Sequence, residues 1–197
     1  KERAETGRLY LMNIDHCNEH SSFKDKVNMS NLCQEITLPT DPISHIDDDA
    51  GEIALCILSA INVGKIRDLD EMENLCDLVV RGLEELIDYQ SYPVAAAERS
   101  TRARRSLGIG YIGLAHYFAK NGVSYDSPEA LTLVHKLTES FQYNLLKASN
   151  QVAKEKGQCD HFHRTKYADG ILPIDTYKKD IDELTSPEYE YDWESLR

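Results

Sequence analysis

Asn31, Cys33 and Glu35 alternate along the run Ser30-Asn31-Leu32-Cys33-Gln34-Glu35. In an extended backbone, alternate side chains project to one face, so the spacing predicts an amide, a thiol and a carboxylate in a single row. Such a row offers a hydrogen-bonding group, a redox-active sulfur and a general base to one small substrate. Leu32 and Gln34 would face the other way. The plain alternative is a structural loop whose cysteine is an inert buried thiol. A second cysteine weighs against that alternative. Cys56 follows Gly51-Glu52-Ile53-Ala54-Leu55 in an apolar run, where a strand would fix the direction of its sulfur.

Other patterns carry less. Gly108-Ile109-Gly110-Tyr111-Ile112-Gly113 has the letters of a dinucleotide-binding glycine run, but Arg102, Ala103, Arg104 and Arg105 precede it instead of a buried strand. The next acids, Asp126 and Glu129, open another helix rather than ending a strand. Close strand-to-helix packing at these glycines is the preferred reading. His16, Cys17 and His20, and likewise Cys159, His161 and His163, lack the paired short spacings of a structural zinc site, so polar loop residues account for them. No Ser-His-Asp or nucleophile-elbow pattern occurs. Arg99, Arg102, Arg104 and Arg105 form a basic cluster, read as a solvated or interfacial charge run, with a local anion site as the alternative.

The elements that must position these residues follow from hydrophobic pattern. Arg8 to Ile14 reads as a buried strand, and Asp15 to about Met29 as a polar loop. Asn31 to Leu38 is extended, closed by Pro39 and Pro42, and Asp47-Asp48-Asp49 with Gly51 marks an exposed turn. Ile53 to Ile61 is a near-continuous apolar run, suited to a strand buried on both faces. Asp68 and Glu71 make a capping-box-like start to a helix whose apolar stripe, from Leu69 to Ile87, includes Cys76 as a core residue. Ser106 to Gly113 predicts a short strand entering a helix over Leu114 to Lys120. A long helix starts at Ser127 with Pro128 in its first turn and ends at Gly157. Near the end, Asp192 is a candidate cap for a helix beginning at Trp193. Strands alternating with long helices predict an α/β fold.

The 197 residues suffice for one sizeable domain. Net charge is −12, which disfavours a phosphate backbone as partner, so no nucleic acid is expected. No apolar run is long enough to span a bilayer, and no membrane partner is expected. Five widely spaced cysteines without a secretory signal point to reduced thiols and a cytoplasmic setting. A start without methionine, and an end inside a nascent helix, read as an internal segment of a longer chain.

Ser30 to Ile36, followed by Leu38-Pro39-Thr40 and by Gly51-Glu52-Ile53-Ala54-Leu55-Cys56-x-Leu58-Ser59-Ala60, closely resembles the large subunit of aerobic class I ribonucleotide reductases of bacterial and phage type. The resemblance extends to Thr6-Gly7-Arg8, Asn13-x-Asp15-His16-Cys17-Asn18, Ala148-Ser149-Asn150, Gly170 to Asp180 and Tyr191-Asp192-Trp193, and so covers essentially residues 1–197. It implies a central piece of a ten-stranded α/β barrel, surrounded by helices, with a catalytic finger loop inside. Mapped by motif, Cys33 would be the thiyl residue that takes the 3′ hydrogen of a ribonucleoside diphosphate and later returns one. Glu35 would be the base on the 3′ hydroxyl, suited to that task by partial desolvation. Asn31 would hydrogen-bond the ribose hydroxyls, and Cys56 would be one of two thiols that end as a disulfide. His16 and Cys17 receive no catalytic role.

The same resemblance implies partners outside the chain. These are a small subunit whose metal centre supplies the radical, a second large subunit, the remaining large-subunit segments, and thioredoxin or glutaredoxin as reductant. Nucleotide effectors would bind elsewhere, and no cofactor or metal is expected on this segment itself. The family's second reducing cysteine, phosphate-binding turn, radical-relay tyrosines and cysteine-bearing tail are absent here, so the chain alone is expected not to turn over. Three rivals are weighed. A cobalamin-dependent reductase would show proline-cysteine-glycine-glutamate at the radical loop, against Leu32-Cys33-Gln34. A non-catalytic assembly segment of a split reductase would survive loss of Cys33. A nicotinamide-dependent dehydrogenase rests only on the glycine run.

Overall fold

The computed structural model describes residues 1–176 and 188–197. Residues Tyr177 to Asp180 of the C-terminal motif therefore lie outside the described residues. Two strands, β1 (Ile57–Asn62) and β2 (Leu107–Ile112), pair in parallel with Ile57 opposite Leu107 and Asn62 opposite Ile112. Parallel neighbours need a long crossover. Here it is supplied by helices α3 (Met72–Tyr89) and α4 (Ala95–Arg104); α1 (Glu2–Thr6) and α2 (Ile14–His20) precede them in the chain. After β2 come α5 (Leu114–Lys120) and the long α6 (Pro128–Lys156).

One face of the sheet is covered. Ile61 of β1 and Ile109 and Tyr111 of β2 pack with Met72 and Cys76 of α3, Phe118 of α5, and Leu137 and Phe141 of α6. The Tyr111 and Phe141 rings meet edge to face at 5.3 Å. The buried residues Met72, Cys76, Val80, Leu83 and Ile87 recur at spacings of three and four, which is the stripe expected for α3. The other face of the sheet is open: Leu58 is 59% exposed and Ile112 55%. The expectation of burial on both faces over Ile53 to Ile61 is thus corrected. The strand begins only at Ile57, and these residues cover one side of it.

Local signals read from the sequence mostly specify the helices. The Ser127 hydroxyl accepts from the Ala130 N–H, Pro128 opens α6, and Gly157 closes it. The Asp68 carboxylate accepts from Asp70 N–H at the start of a short 3-10 turn, Leu69–Glu71, while Glu71 reaches back to the Arg67 N–H at 3.1 Å. The helix proper starts after that turn. Gly113 takes a left-handed φ of 82° between β2 and α5, where an added Cβ would lie 2.6 Å from Asn62 Oδ1. Asp192 precedes a 3-10 turn, Trp193–Leu196, rather than an α-helix.

Three further differences from the sequence reading lie outside these elements. Residues 8–13 carry no regular structure, and Leu9, Tyr10 and Leu11 are exposed; no neighbouring strand among the described residues pairs with them. The expected polar loop after them begins instead with α2. The Asn18 side chain ends that stretch by accepting from Val27 N–H and donating to the Val27 and Ile14 carbonyls. The third difference is α4, where no helix was expected.

With two strands among the described residues, the architecture shown is mixed α/β with a parallel pair. A ten-stranded barrel is not formed by these strands by themselves. No helix among the described residues is long and apolar enough to cross a membrane.

Candidate functional site

Asn31, Cys33 and Glu35 do not form an extended row. The Gln34 N–H donates to the Asn31 carbonyl at 3.1 Å, and Asn31 N–H to the Ile36 carbonyl at 3.3 Å, closing residues 31–36 into a tight turn. The Asn31 side-chain oxygen accepts from Ile36 N–H at 3.0 Å, and the Ser30 hydroxyl donates to the Asn31 carbonyl. Gln34 sits at the centre with a φ of 64°, an unusual value for a residue with a long side chain. The turn's own backbone bonding overrides the alternation on which the row was based. Asn31, Cys33 and Glu35 are all exposed on this turn, so Glu35 is not desolvated by this chain. Two of the three remain free to reach outward, while Asn31 spends its carbonyl oxygen on the turn itself.

Cys56 lies just before β1 and is half-buried. An added Cβ on Gly108 would stand 2.6 Å from Cys56 Sγ and 2.5 Å from Leu58 Cδ2. Gly108 therefore makes the space that the Cys56 thiol occupies. Because the neighbouring Leu107 and Ile109 face the core, the thiol lies on the opposite face of the sheet, away from α3 and α6. Burial pushes the Cys56 thiol above its ordinary value, which keeps it protonated. Within the glycine run, Gly108 makes room for the thiol and Gly113 for the β2–α5 turn, while nothing lies within 4 Å of an added Cβ at Gly110.

Cys76 and Cys159 are held by burial. Cys76 is fully buried near the Phe141 carbonyl, and burial pushes its thiol up to about 12. Cys159 is raised by burial as well. Among the described residues no group of three or more His, Cys, Asp or Glu side chains could hold a metal ion. All four arginines of the basic cluster have partners. Arg102 pairs with Asp88 and Glu98, Arg105 with Glu84 and Asp88, and Arg104 with Glu52 and Asp25, while Arg99 donates to the Asp48 and Gly51 carbonyls. They are spent on partners within the fold, and Arg104 is buried, which corrects the reading of a solvated or interfacial charge run.

Sequence reasoning passed over the residues that hold this region together. The Glu52 N–H donates to the Asp41 carbonyl at 2.9 Å, and the Asp41 N–H to Glu52 Oε2 at 2.8 Å. Gly51 allows that approach, since an added Cβ would be 2.5 Å from the Pro42 carbonyl and 2.1 Å from Ile43 Cγ2. Gly51 was visible in the sequence as a turn residue, but its role as a contact between two distant segments was not.

A family model described as ribonucleotide reductase, barrel domain, matches residues 1–197. The chain is similar to the ribonucleoside-diphosphate reductase subunit alpha of Haemophilus influenzae, with 60% identity over the whole chain and 26% of that protein. It is 55% identical to the subunit alpha of reductase 1 of Escherichia coli and 41% identical to the subunit alpha of phage T4, again over the whole chain and 26% of each relative. The chain spans about a quarter of the length of these curated relatives.

Proposed function

Because the chain belongs to the barrel-domain family of ribonucleotide reductases, we propose that it is the part of a large subunit carrying the radical cysteine and one reducing thiol. The observation that carries this reading is the Cys56 thiol, seated over Gly108 on the face of the β1–β2 sheet away from α3 and α6. Further along that face the small residues Ala60 and Gly110 lie opposite each other and leave room for a substrate on it. A groove of about 440 Å³ is lined by β1, α3 and the connection between them, including Ala60, Lys65, Leu75 and Leu78, with no residue from β2. It suits the addition of further strands beside β1, and with them the closing of a ten-stranded barrel around the turn at residues 31–36.

In this reading a metal centre in a partner small subunit supplies the radical. Cys33, as a thiyl, forms its S–H bond by taking the hydrogen atom on the 3′ carbon of a ribonucleoside diphosphate. Glu35 accepts the proton of the 3′ hydroxyl, and the 2′ hydroxyl leaves as water with a proton from a thiol. Asn31 donates its amide N–H groups to the ribose hydroxyls, since its oxygen is engaged by Ile36. Cys56 and a cysteine outside this chain provide two electrons and end as a disulfide, and Cys33 returns a hydrogen atom to the 3′ carbon. The sum converts ribonucleotide and dithiol into deoxyribonucleotide, water and disulfide. An external dithiol protein such as thioredoxin or glutaredoxin then regenerates Cys56.

The test is replacement of Cys33 by alanine in the complete subunit, assayed with its radical-generating partner. Loss of deoxynucleotide formation at an intact fold is expected. Unchanged turnover would exclude the catalytic reading and leave the non-catalytic assembly segment.

A further inference from the structure

The segment that bears Asn31, Cys33 and Glu35 is flanked by Asp25 and Asp41. Its two ends are joined by one side chain. Arg164 Nε meets Asp25 Oδ2 at 2.6 Å, while its two terminal nitrogens donate to both Asp41 oxygens at 2.9 and 2.8 Å. A second arginine extends the link to the reducing thiol. Arg104 donates to Asp25 Oδ2 at 2.9 Å and, through Nε and the other terminal nitrogen, to Glu52 at 3.0 and 2.8 Å. Glu52 lies four positions before Cys56 and is paired to Asp41 through both backbone and side chain.

The centre of this cluster, the Arg104–Glu52 pair, is built into the interior, while Asp25 and Arg164 are half-buried and Asp41 is partly exposed. The side chains of Arg104 and Glu52 are only 4% and 2% exposed. Its frame is α4 on one side, where the Ile53 N–H donates to the Ala96 carbonyl and the His161 N–H to the Ala103 carbonyl. On the other side, a bridge between Phe23 and Thr165 and the bond from Lys24 N–H to the Arg164 carbonyl set Arg164 beside Asp25. Fork-shaped guanidinium groups suit this task because each presents several donors in a fixed plane, which an ammonium does not. Burial strengthens the Arg104–Glu52 bonds and makes an unpaired member costly there, while the two-oxygen grip of Arg164 on Asp41 and its bond to Asp25 tie the flanks of the loop to each other.

We propose that Arg164 and Arg104 are positioning residues: bridging Asp25, Asp41 and Glu52, they fix the Cys33 turn in register with the Cys56 thiol. The proposal rests on the functional reading above, in which those two sulfurs act on the same ribose. It asks nothing of the arginines at the substrate itself. Their effect is to hold two sulfurs from separate segments in one geometry, and such registration controls the chemical step more than substrate binding.

The experiment uses the complete subunit carrying this segment, with its radical-generating partner and a dithiol reductant. It measures kcat, the KM for the diphosphate and the melting temperature of Arg164→Gln, Arg164→Lys and Cys33→Ala. Arg164→Gln is expected to lower kcat about a hundredfold per folded molecule, the scale of a misplacement of about 1 Å, with little change in KM. Arg164→Lys keeps the charge and should recover most of the melting temperature, yet leave kcat depressed, because an ammonium cannot reproduce the three-pronged bridge. Recovery of kcat in step with the melting temperature would overturn the proposal, as would a kcat in Arg164→Gln equal to the parent's. If Arg164→Gln does not fold, Asp41→Asn, which leaves the backbone pairing to Glu52 intact, must show the same loss in kcat, and a parental kcat there refutes the proposal. Cys33→Ala separates the two levels. Activity surviving in that variant removes the functional reading itself, whereas its loss beside a fully active Arg164→Gln removes only the positioning role.

Discussion

Replacing Gly108 with alanine places a methyl group 2.6 Å from Cys56 Sγ and 2.5 Å from Leu58 Cδ2. Ordinary contact needs about 3.5–4.0 Å, so each neighbour must give by about 1 Å. Both atoms are at the ends of rotatable side chains, and the open face leaves Leu58 room to move. The overpacking cost of about 1–3 kcal/mol is therefore at its low end, and relief of the glycine's chain entropy returns about 0.5–1 kcal/mol. A net loss of no more than about 0.5 kcal/mol should leave the subunit folded. The thiol, however, no longer points where Gly108 let it lie. A displacement of about 1 Å at a reacting atom costs about a hundredfold in rate, or about 2.7 kcal/mol in barrier. The assay is kcat in the complete subunit beside a urea melt, with Gly110→Ala as a stability comparator because nothing lies within 4 Å of its added methyl. A Gly108→Ala subunit with parental kcat would refute the assignment of Cys56 as a directed reducing thiol. A collapse in stability with no specific loss of activity would refute the packing argument.

Two further outcomes follow from buried charges. The Glu139 carboxylate accepts from Glu190 N–H, Tyr191 N–H and Trp193 Nε1, so Glu139→Ala should cost about 3 kcal/mol and free the C-terminal segment. Trp193 is the sole tryptophan and is buried, so a red shift of its emission checks this, and an unshifted spectrum contradicts it. His161 is held below its ordinary value of 6.5, first by burial and then by the Arg104 and Arg164 charges. Below that value the unfolded chain binds a proton that the folded chain refuses, so stability falls as pH drops through 6.5. Asp41, held low chiefly by its bond to Arg164, adds stability above 3.8 that is lost on further acidification. His161→Gln should flatten the first limb in urea titrations, and an unaltered slope would count against it.

What the sequence made legible was local. Ser127, Pro128 and Gly157 bound α6 through capping and backbone preferences that act within a few residues, and the β2–Gly113–α5 junction follows from one left-handed glycine. The Cys33 and Cys56 motifs marked the candidate site without its geometry. Asn31 to Ile36 reads as alternating, yet a side-chain oxygen and a backbone pair close it into a turn, a competition that residue types alone do not decide. In α4 the signal was present in Ala95-Ala96-Ala97 and in Glu98 four positions before Arg102, but the arginines drew the reading towards surface charge. The clamp of Arg104, Arg164, Asp25, Asp41 and Glu52 joins residues far apart in the chain, and no local pattern announces such a meeting. The large apolar residues at Leu9, Tyr10 and Leu11 suggested a strand, but sheet formation needs a neighbour that hydrophobicity cannot name.

The division of labour between the two cysteines is the central claim, and one measurement addresses it directly. Pre-reduced complete subunit, with its radical-generating partner and ribonucleoside diphosphate but no external reductant, is quenched after a single turnover, and its thiols and disulfides are mapped by mass spectrometry. The account predicts deoxynucleotide equimolar with a disulfide that joins Cys56 to a cysteine outside this chain, while Cys33 remains a free thiol. Product formed with Cys56 still reduced, or with Cys33 trapped in the disulfide, would contradict it.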